Sequence, residues 1–180
     1  WLNHLFGGKR RRKIVDYNLQ KLEMSFQSYK IAFEKLREAS GLLYLHLNHT
    51  TDLKKQVHLV DHLGSSYHVN LDDVAFLIQK RESPFFETLE TLIEQGKGKK
   101  AIANFFQLID ERCRQGISDQ DPILEKNYGW DGERPLHLDV GRFATDLKDA
   151  KEERIRVTES LKMWLEREHP ELLPEYLAHL

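Results

Sequence analysis

The chain of 180 residues carries a single cysteine, Cys113, so no disulfide can form within it. That usage suits a reducing compartment, with the thiol on a helix face and buried or half-buried. Long apolar runs are missing as well. No window of about 18 such residues occurs, which excludes a membrane-spanning helix, and no signal-peptide pattern is visible. A basic surplus is also lacking. Lys and Arg total 27 against 29 Asp and Glu, for a formal net charge of −2. Wholesale nucleic-acid binding needs the opposite balance, because phosphates are neutralised by cations. Repeats and low-complexity segments are absent. Gly96-Lys97-Gly98 sets a lysine between glycines but lacks the spacing of a phosphate loop, and it reads as a helix–helix linker.

What is present fits a soluble globular domain. Hydrophobic residues make up 40% and charged residues 31%, enough for a real core. The expected organisation is a basic arm over 1–13 and one domain over 14–180, with a helix-plus-sheet part over 14–82 and a helical part over 83–180. The chain starts at Trp1 without an initiator Met, so an upstream segment is left open. Lys9 to Lys13 is an unbroken basic run of five. It reads as a solvated, mobile arm, or as an electrostatic anchor on an anionic membrane surface or an acidic partner. The expected location is cytoplasmic, peripheral to a membrane if the arm anchors.

Periodicity predicts an α+β fold. A long helix is expected over 14–39, with Leu19, Leu22, Phe26, Tyr29, Phe33 and Leu36 at helical spacing and Ser40-Gly41 as the stop. Alternation at Leu43, Leu45 and Leu47 predicts a strand. Runs at 57–60 and 67–69 flank a turn, and 74–79 is a further apolar run, together one antiparallel sheet of three or four strands. Its histidines, His46, His49, His58, His62 and His68, match no zinc spacing and read as strand-surface residues. Ser83-Pro84 predicts a helix start, followed by a helix to about 95, a second over 99–115 capped by Gly116, and a third from Thr145 or Asp146 to about 168.

The chemistry is expected between Gly116 and Phe143, GISDQDPILEKNYGWDGERPLHLDVGRF. An acidic loop holds Asp119 and Asp121. Asn127 opens a hairpin, Asp131-Gly132 turns it, and Asp139 closes it. Carboxylates and an amide joined by a strand–turn–strand suit a divalent cation and a phosphate. Phosphoryl transfer needs one carboxylate to orient an acceptor hydroxyl, and a carboxylate with an amide to hold magnesium on the nucleotide.

This order resembles the C-terminal lobe of the protein-kinase-like superfamily, in its small bacterial lipopolysaccharide-kinase and aminoglycoside-phosphotransferase forms. Asp139-Val140-Gly141 matches the family's Asp-x-Gly element, and Asn127 stands 12 residues ahead of it. The resemblance implies magnesium and ATP held between the sheet and helical halves by Asn127 and Asp139. Asp121 or Asp119 would face the acceptor, a small molecule, lipid or protein. The enzyme would be an ATP-dependent phosphotransferase or its inactive descendant. The pattern departs in places. Asp121 precedes Asn127 by six residues, one more than in the family, no His-Arg stands before either aspartate, and no strand lysine is identifiable for the nucleotide phosphates.

Two other readings use the same residues. Asp119, Asp121 and Asp131-Gly132 are turn formers, and Asp139 is placed to cap the Val140-Gly141-Arg142 turn or pair with Arg142. The whole chain then reads as a non-enzymatic module that docks on a protein or an anionic membrane.

Overall fold

Good helix formers over the first 35 residues make one long helix, α1 (Leu2–Lys35). The computed structural model describes residues 2–180, with side chains from residue 14 onward. Gly7-Gly8 does not break the helix, and the backbone of Lys9–Lys13 is helical. A glycine costs about 1 kcal/mol in a helix, less than propagation through the flanking Leu, Lys and Arg returns. The side chains of Lys9–Lys13 lie outside the described residues. At the other end the helix stops earlier than its pattern, at Lys35. Leu36 and Ser40 continue its hydrogen bonds as a turn, and Gly41 closes it at φ 62°.

Residues 42–80 form a compact unit of their own, set apart from 1–41 with 81–180. In it β1 (Leu42–His46) and β2 (Gln56–Val60) are followed by β3 (Ser66–Asn70) and β4 (Phe76–Gln79). The expected single sheet is two antiparallel pairs, β1 with β4 and β2 with β3. Asp72 explains the division. Its carboxylate accepts from the Thr50 hydroxyl and from the N–H groups of Leu53 (3.1 Å) and Lys54 (2.8 Å). The links on either side of the β2–β3 hairpin therefore bond to each other and do not extend the ladder.

The second unit continues from α1 into β5 (Ser83–Pro84), α2 (Phe85–Glu94), α3 (Gly98–Arg114), β6 (Ser118–Asp119) and α4 (Leu124–Asn127). The hairpin β7 (Tyr128–Asp131) and β8 (Arg134–His137) follows, then β9 (Phe143–Ala144), α5 (Ala150–Glu168) and α6 (Leu173–Ala178). Ser83-Pro84 leads directly into α2 as expected, with Pro84 at the N-cap position and no side-chain cap bond. It is an edge strand on β7, where proline's missing N–H costs nothing. Its pairing depends on Gly129, because a Cβ there would stand 2.8 Å from the Ser83 carbonyl. The last long helix also starts later than expected. Residues 143–144 are extended by pairing with β6, and Asp149 caps the helix by accepting from the N–H groups of Lys151 (2.7 Å) and Glu152 (3.0 Å).

The core of this unit lies between α2, α3 and the hairpin. Phe85 sits with its ring centroid 4.7 Å from Phe105 and 5.5 Å from Trp130, and Phe105 is 5.5 Å from Tyr128. The Trp130 indole N–H is satisfied by the Phe85 carbonyl at 2.9 Å. Cys113 is buried, as its helix position predicts, and burial pushes its thiol up. No helix among the described residues is long and apolar enough to cross a membrane.

The segment after α5 is pinned to α2 by His169, whose Nε2 lies 2.8 Å from Glu90 and whose ring packs on Trp164. Burial works against the imidazolium, but the carboxylates of Glu90 and Glu171 outweigh it, so its pKa is raised above 6.5. A raised folded pKa stabilises the fold fully below the unfolded value and loses that contribution as pH rises through the folded one. Stability measured by urea unfolding should therefore fall between pH 6 and pH 8.5 by a few tenths to about 1 kcal/mol from this pair. Glu90→Gln should remove that part of the slope, and an unchanged slope would show that the pair contributes nothing.

Candidate functional site

The loop between α3 and the hairpin is built on a buried cation. Arg112, on the inner face of α3, is 0% exposed, and its Nη1 donates to Glu153 of α5 at 2.8 Å. The same Glu153 Oε1 accepts the backbone N–H of Asp119 at 2.8 Å. Arg156 donates to the other oxygen of Glu153 at 2.6 Å and to the Asp119 carbonyl. One carboxylate and two guanidinium groups thus hold the backbone of β6 from both sides. The Arg112 guanidinium also stands 5.4 Å from the Phe143 ring centroid, on the strand paired with β6.

Electrostatics follow from this burial. Desolvation opposes the Glu153 carboxylate, but the Asp119 N–H, Arg156 and Arg112 outweigh it and hold its pKa below the usual range. Burial pushes Asp119 the other way, up, despite the field of Arg112 and the hydrogen bond from Tyr128. Burial, with Arg112 nearby, keeps His137 neutral by driving its pKa well down. Its ring packs 4.9 Å from Tyr128 and 5.0 Å from Phe143.

The four expected site residues divide between two environments. Asp119 is 1% exposed, and both of its oxygens are engaged. Oδ2 accepts the Tyr128 hydroxyl at 2.7 Å, and Oδ1 accepts the Asp121 N–H at 2.9 Å. It acts as a turn former and a brace, as its residue type allows. Asp121 is half-buried. Its carbonyl accepts the side-chain amide of Asn127. Asn127 does not open the hairpin. It is the last residue of the single-turn helix α4, with its N–H bonded to the Ile123 carbonyl at 2.8 Å. The hairpin then closes on it, since Leu138 N–H donates to the Asn127 carbonyl at 2.8 Å. Asp139 follows directly and is exposed. Asn127 and Asp139 therefore flank one end of the hairpin despite being 12 positions apart in the chain.

Helix α1 holds the Asp139-Val140-Gly141 turn. Buried Ser28 donates to the Val140 carbonyl and accepts the Phe143 N–H at 2.6 Å. The Tyr29 hydroxyl reaches Asp139 Oδ1 at 3.4 Å, and burial with that neighbouring carboxylate pushes the phenol up to about 12. Asp139 Oδ1 also accepts the Gly141 N–H at 2.9 Å, the turn cap its position suggests. Asp139 Oδ2 and Asn127 Oδ1 accept no hydrogen bond among the described residues. Glu34 is an exposed helix charge.

Neither Glu153 nor Arg112 stands out as a site residue on composition. The signal lies in register: Glu153 shares the stripe of Val157, Leu161 and Leu165, all buried. A carboxylate in an apolar stripe must meet a buried cation, and Arg112 occupies the matching place beside Ile109 and Phe105 on α3.

Among the described residues no three His, Cys, Asp or Glu side chains are placed together to hold a metal. Magnesium does not require such a cage. It commonly takes one or two protein oxygens, with waters and substrate phosphates completing its octahedron. An amide oxygen and a carboxylate oxygen flanking one hairpin end fit that donor set. Compared with known proteins, the chain matches no family model, no curated protein and no solved structure.

The buried pair makes a quantitative prediction. Glu153→Leu strands Arg112 without a counter-charge, which should cost about 3–5 kcal/mol in urea unfolding. Adding Arg112→Met should recover at least about 1 kcal/mol of that loss, because the uncompensated charge is then gone. Strict additivity of the two substitutions would show that they do not act as a unit.

Proposed function

We propose that the chain is a kinase-like phosphotransferase domain that binds a magnesium nucleotide at the Asn127–Asp139 end of the β7–β8 hairpin. The observation that carries this reading is the closure of the hairpin on Asn127 by Leu138 N–H, with oxygens left over on both flanking side chains. The order of elements supports it too: a helix pair, a braced acidic loop, an amide, a hairpin and Asp-x-Gly. Asn127 and Asp139 are the residues that would hold magnesium, which when bound neutralises phosphate charge.

The two aspartates then separate into different roles. Asp119 is spent on Tyr128 and on the loop backbone, and burial favours its protonated form. Asp121, half-buried and tied through its carbonyl to Asn127, is the carboxylate left to face an acceptor. In the proposed transfer Asp121 accepts the proton of the acceptor hydroxyl. The hydroxyl oxygen bonds to the γ-phosphorus, the bond from that phosphorus to the bridging oxygen breaks in line, and ADP leaves. The acceptor is a hydroxyl on a small molecule, lipid or protein.

Thermal unfolding with millimolar magnesium and ATP tests the reading. A ligand that binds only the folded state should raise Tm by a few degrees at concentrations well above Kd. Asp139→Ala or Asn127→Ala should abolish the rise, while Asp121→Asn should keep it and lose transfer. No shift in the native chain at millimolar nucleotide would sink the proposal.

A further inference from the structure

The sequence offers no strand lysine for the nucleotide phosphates, yet two cations from other elements meet beside Asp139. Lys21 of α1 and Arg142, three residues past Asp139, line one small cavity together with Met24, Ser25 and Gly141. Its volume is about 70 Å³, several times the roughly 10–15 Å³ that a single water needs. It is far too small for a nucleoside.

The floor of this cavity depends on Gly141. A Cβ at that position would stand 3.1 Å from Asp139 Oδ1 and 3.8 Å from Ser25 Oγ. The missing side chain therefore keeps the space open between the hydroxyl of α1 and the carboxylate proposed to hold magnesium. Neither Lys21 nor Arg142 has an ion-pair partner among the described residues. The Lys21 ammonium stands 4.5 Å from the Tyr17 ring centroid, one helical turn before it on α1. Lys21, first of all, and then Arg142 pull the Tyr17 phenol below its ordinary pKa, as expected if both charges act on the same small region.

We propose that Lys21, Ser25 and Arg142 form an oxyanion subsite for a phosphate group, two cations and a hydroxyl donor around a glycine floor. The inference rests on the phosphotransferase reading for its natural ligand, the phosphate chain of the bound nucleotide. In that role the ammonium of a helix residue takes the part of the lysine missing from the strands. The guanidinium adds a planar fork suited to two oxygens at once. Asp139, on the other side of Gly141, is separated from the phosphate only when a cation lies between them. The neighbouring carboxylate therefore weakens the hold of the subsite alone on a free oxyanion.

Pyrophosphate without magnesium is the probe that isolates the subsite, and ³¹P line broadening with titration calorimetry reads its binding. The native chain should bind pyrophosphate in the millimolar range, more weakly as salt is raised. Lys21→Ala and Arg142→Ala should each weaken it at least tenfold, and Lys21→Arg should retain it. Asp139→Ala should bind pyrophosphate as well as the native chain or better, while losing magnesium-dependent nucleotide binding. Lys21 and Arg142 are both exposed, so these variants should fold, and an unchanged urea midpoint checks that. Pyrophosphate binding lost in the cation variants, in a chain that ignores magnesium–ATP, would keep the subsite and discard the nucleotide reading. Pyrophosphate binding that is absent, or that survives both alanine substitutions, would overturn the subsite whatever the nucleotide does.

Discussion

Arg112 is a fully buried cation, and the second unit is arranged around the need to satisfy it. A charge in the interior is tolerated only with a partner of opposite sign and good hydrogen bonds. Glu153 supplies the counter-charge and one hydrogen bond, to Nη1, while Nε and Nη2 meet no hydrogen-bond partner among the described residues, and the same carboxylate fixes the backbone of Asp119. That anchor ties α3 and α5 to the start of the acidic loop. From there Asp119 passes the constraint on, bracing Tyr128 at the root of the hairpin and the N–H of Asp121. Such pairs contribute little net stability compared with an apolar replacement, so the gain here is in position.

The second constraint comes from α1. Ser28 and Tyr29 grip the turn after the hairpin, one through the backbone of Val140 and Phe143, the other through the Asp139 carboxylate. The hairpin end is thus held by α3 and α5 from below and by α1 from the side. The proposed site of two protein oxygens would need this support, because a shift of about 1 Å is enough to lose a productive geometry. The same helix contributes Lys21 and Ser25, so one element both orients the Asp-x-Gly turn and lines the cavity beside it.

Much of this was legible in the sequence where a residue type demands one local structure. Gly116, Gly132 and Gly41 all sit at positive φ where a helix ends or a hairpin turns. The apolar stripes of α2 and α3 lie where their periods put them, whereas in β1 a register shift between Leu42 and Tyr44 breaks the alternation and leaves Leu43 exposed and His46 buried. What could not be read was nonlocal. Ser83-Pro84 has the composition of a helix start, and α2 does begin at Phe85, but the dipeptide's pairing as a strand needs the side-chain-free Gly129 across the sheet. Asp72 divides one sheet into two pairs by collecting donors from residues about twenty positions away. At the site, residue types alone gave Asp119 and Asp121 the same standing. Burial and the Tyr128 hydroxyl separate them, and neither follows from local sequence.

Asn127 and Asp139 are proposed to share one cation. Paramagnetic broadening by manganese in the presence of ADP tests it directly, read on the backbone amide signals of a uniformly labelled chain. Signals of residues 127–129 and 138–141 should broaden together at substoichiometric manganese, with those of α5 beyond Leu161 unaffected. Broadening at only one of the two segments, or first at acidic residues elsewhere on the surface, would contradict it.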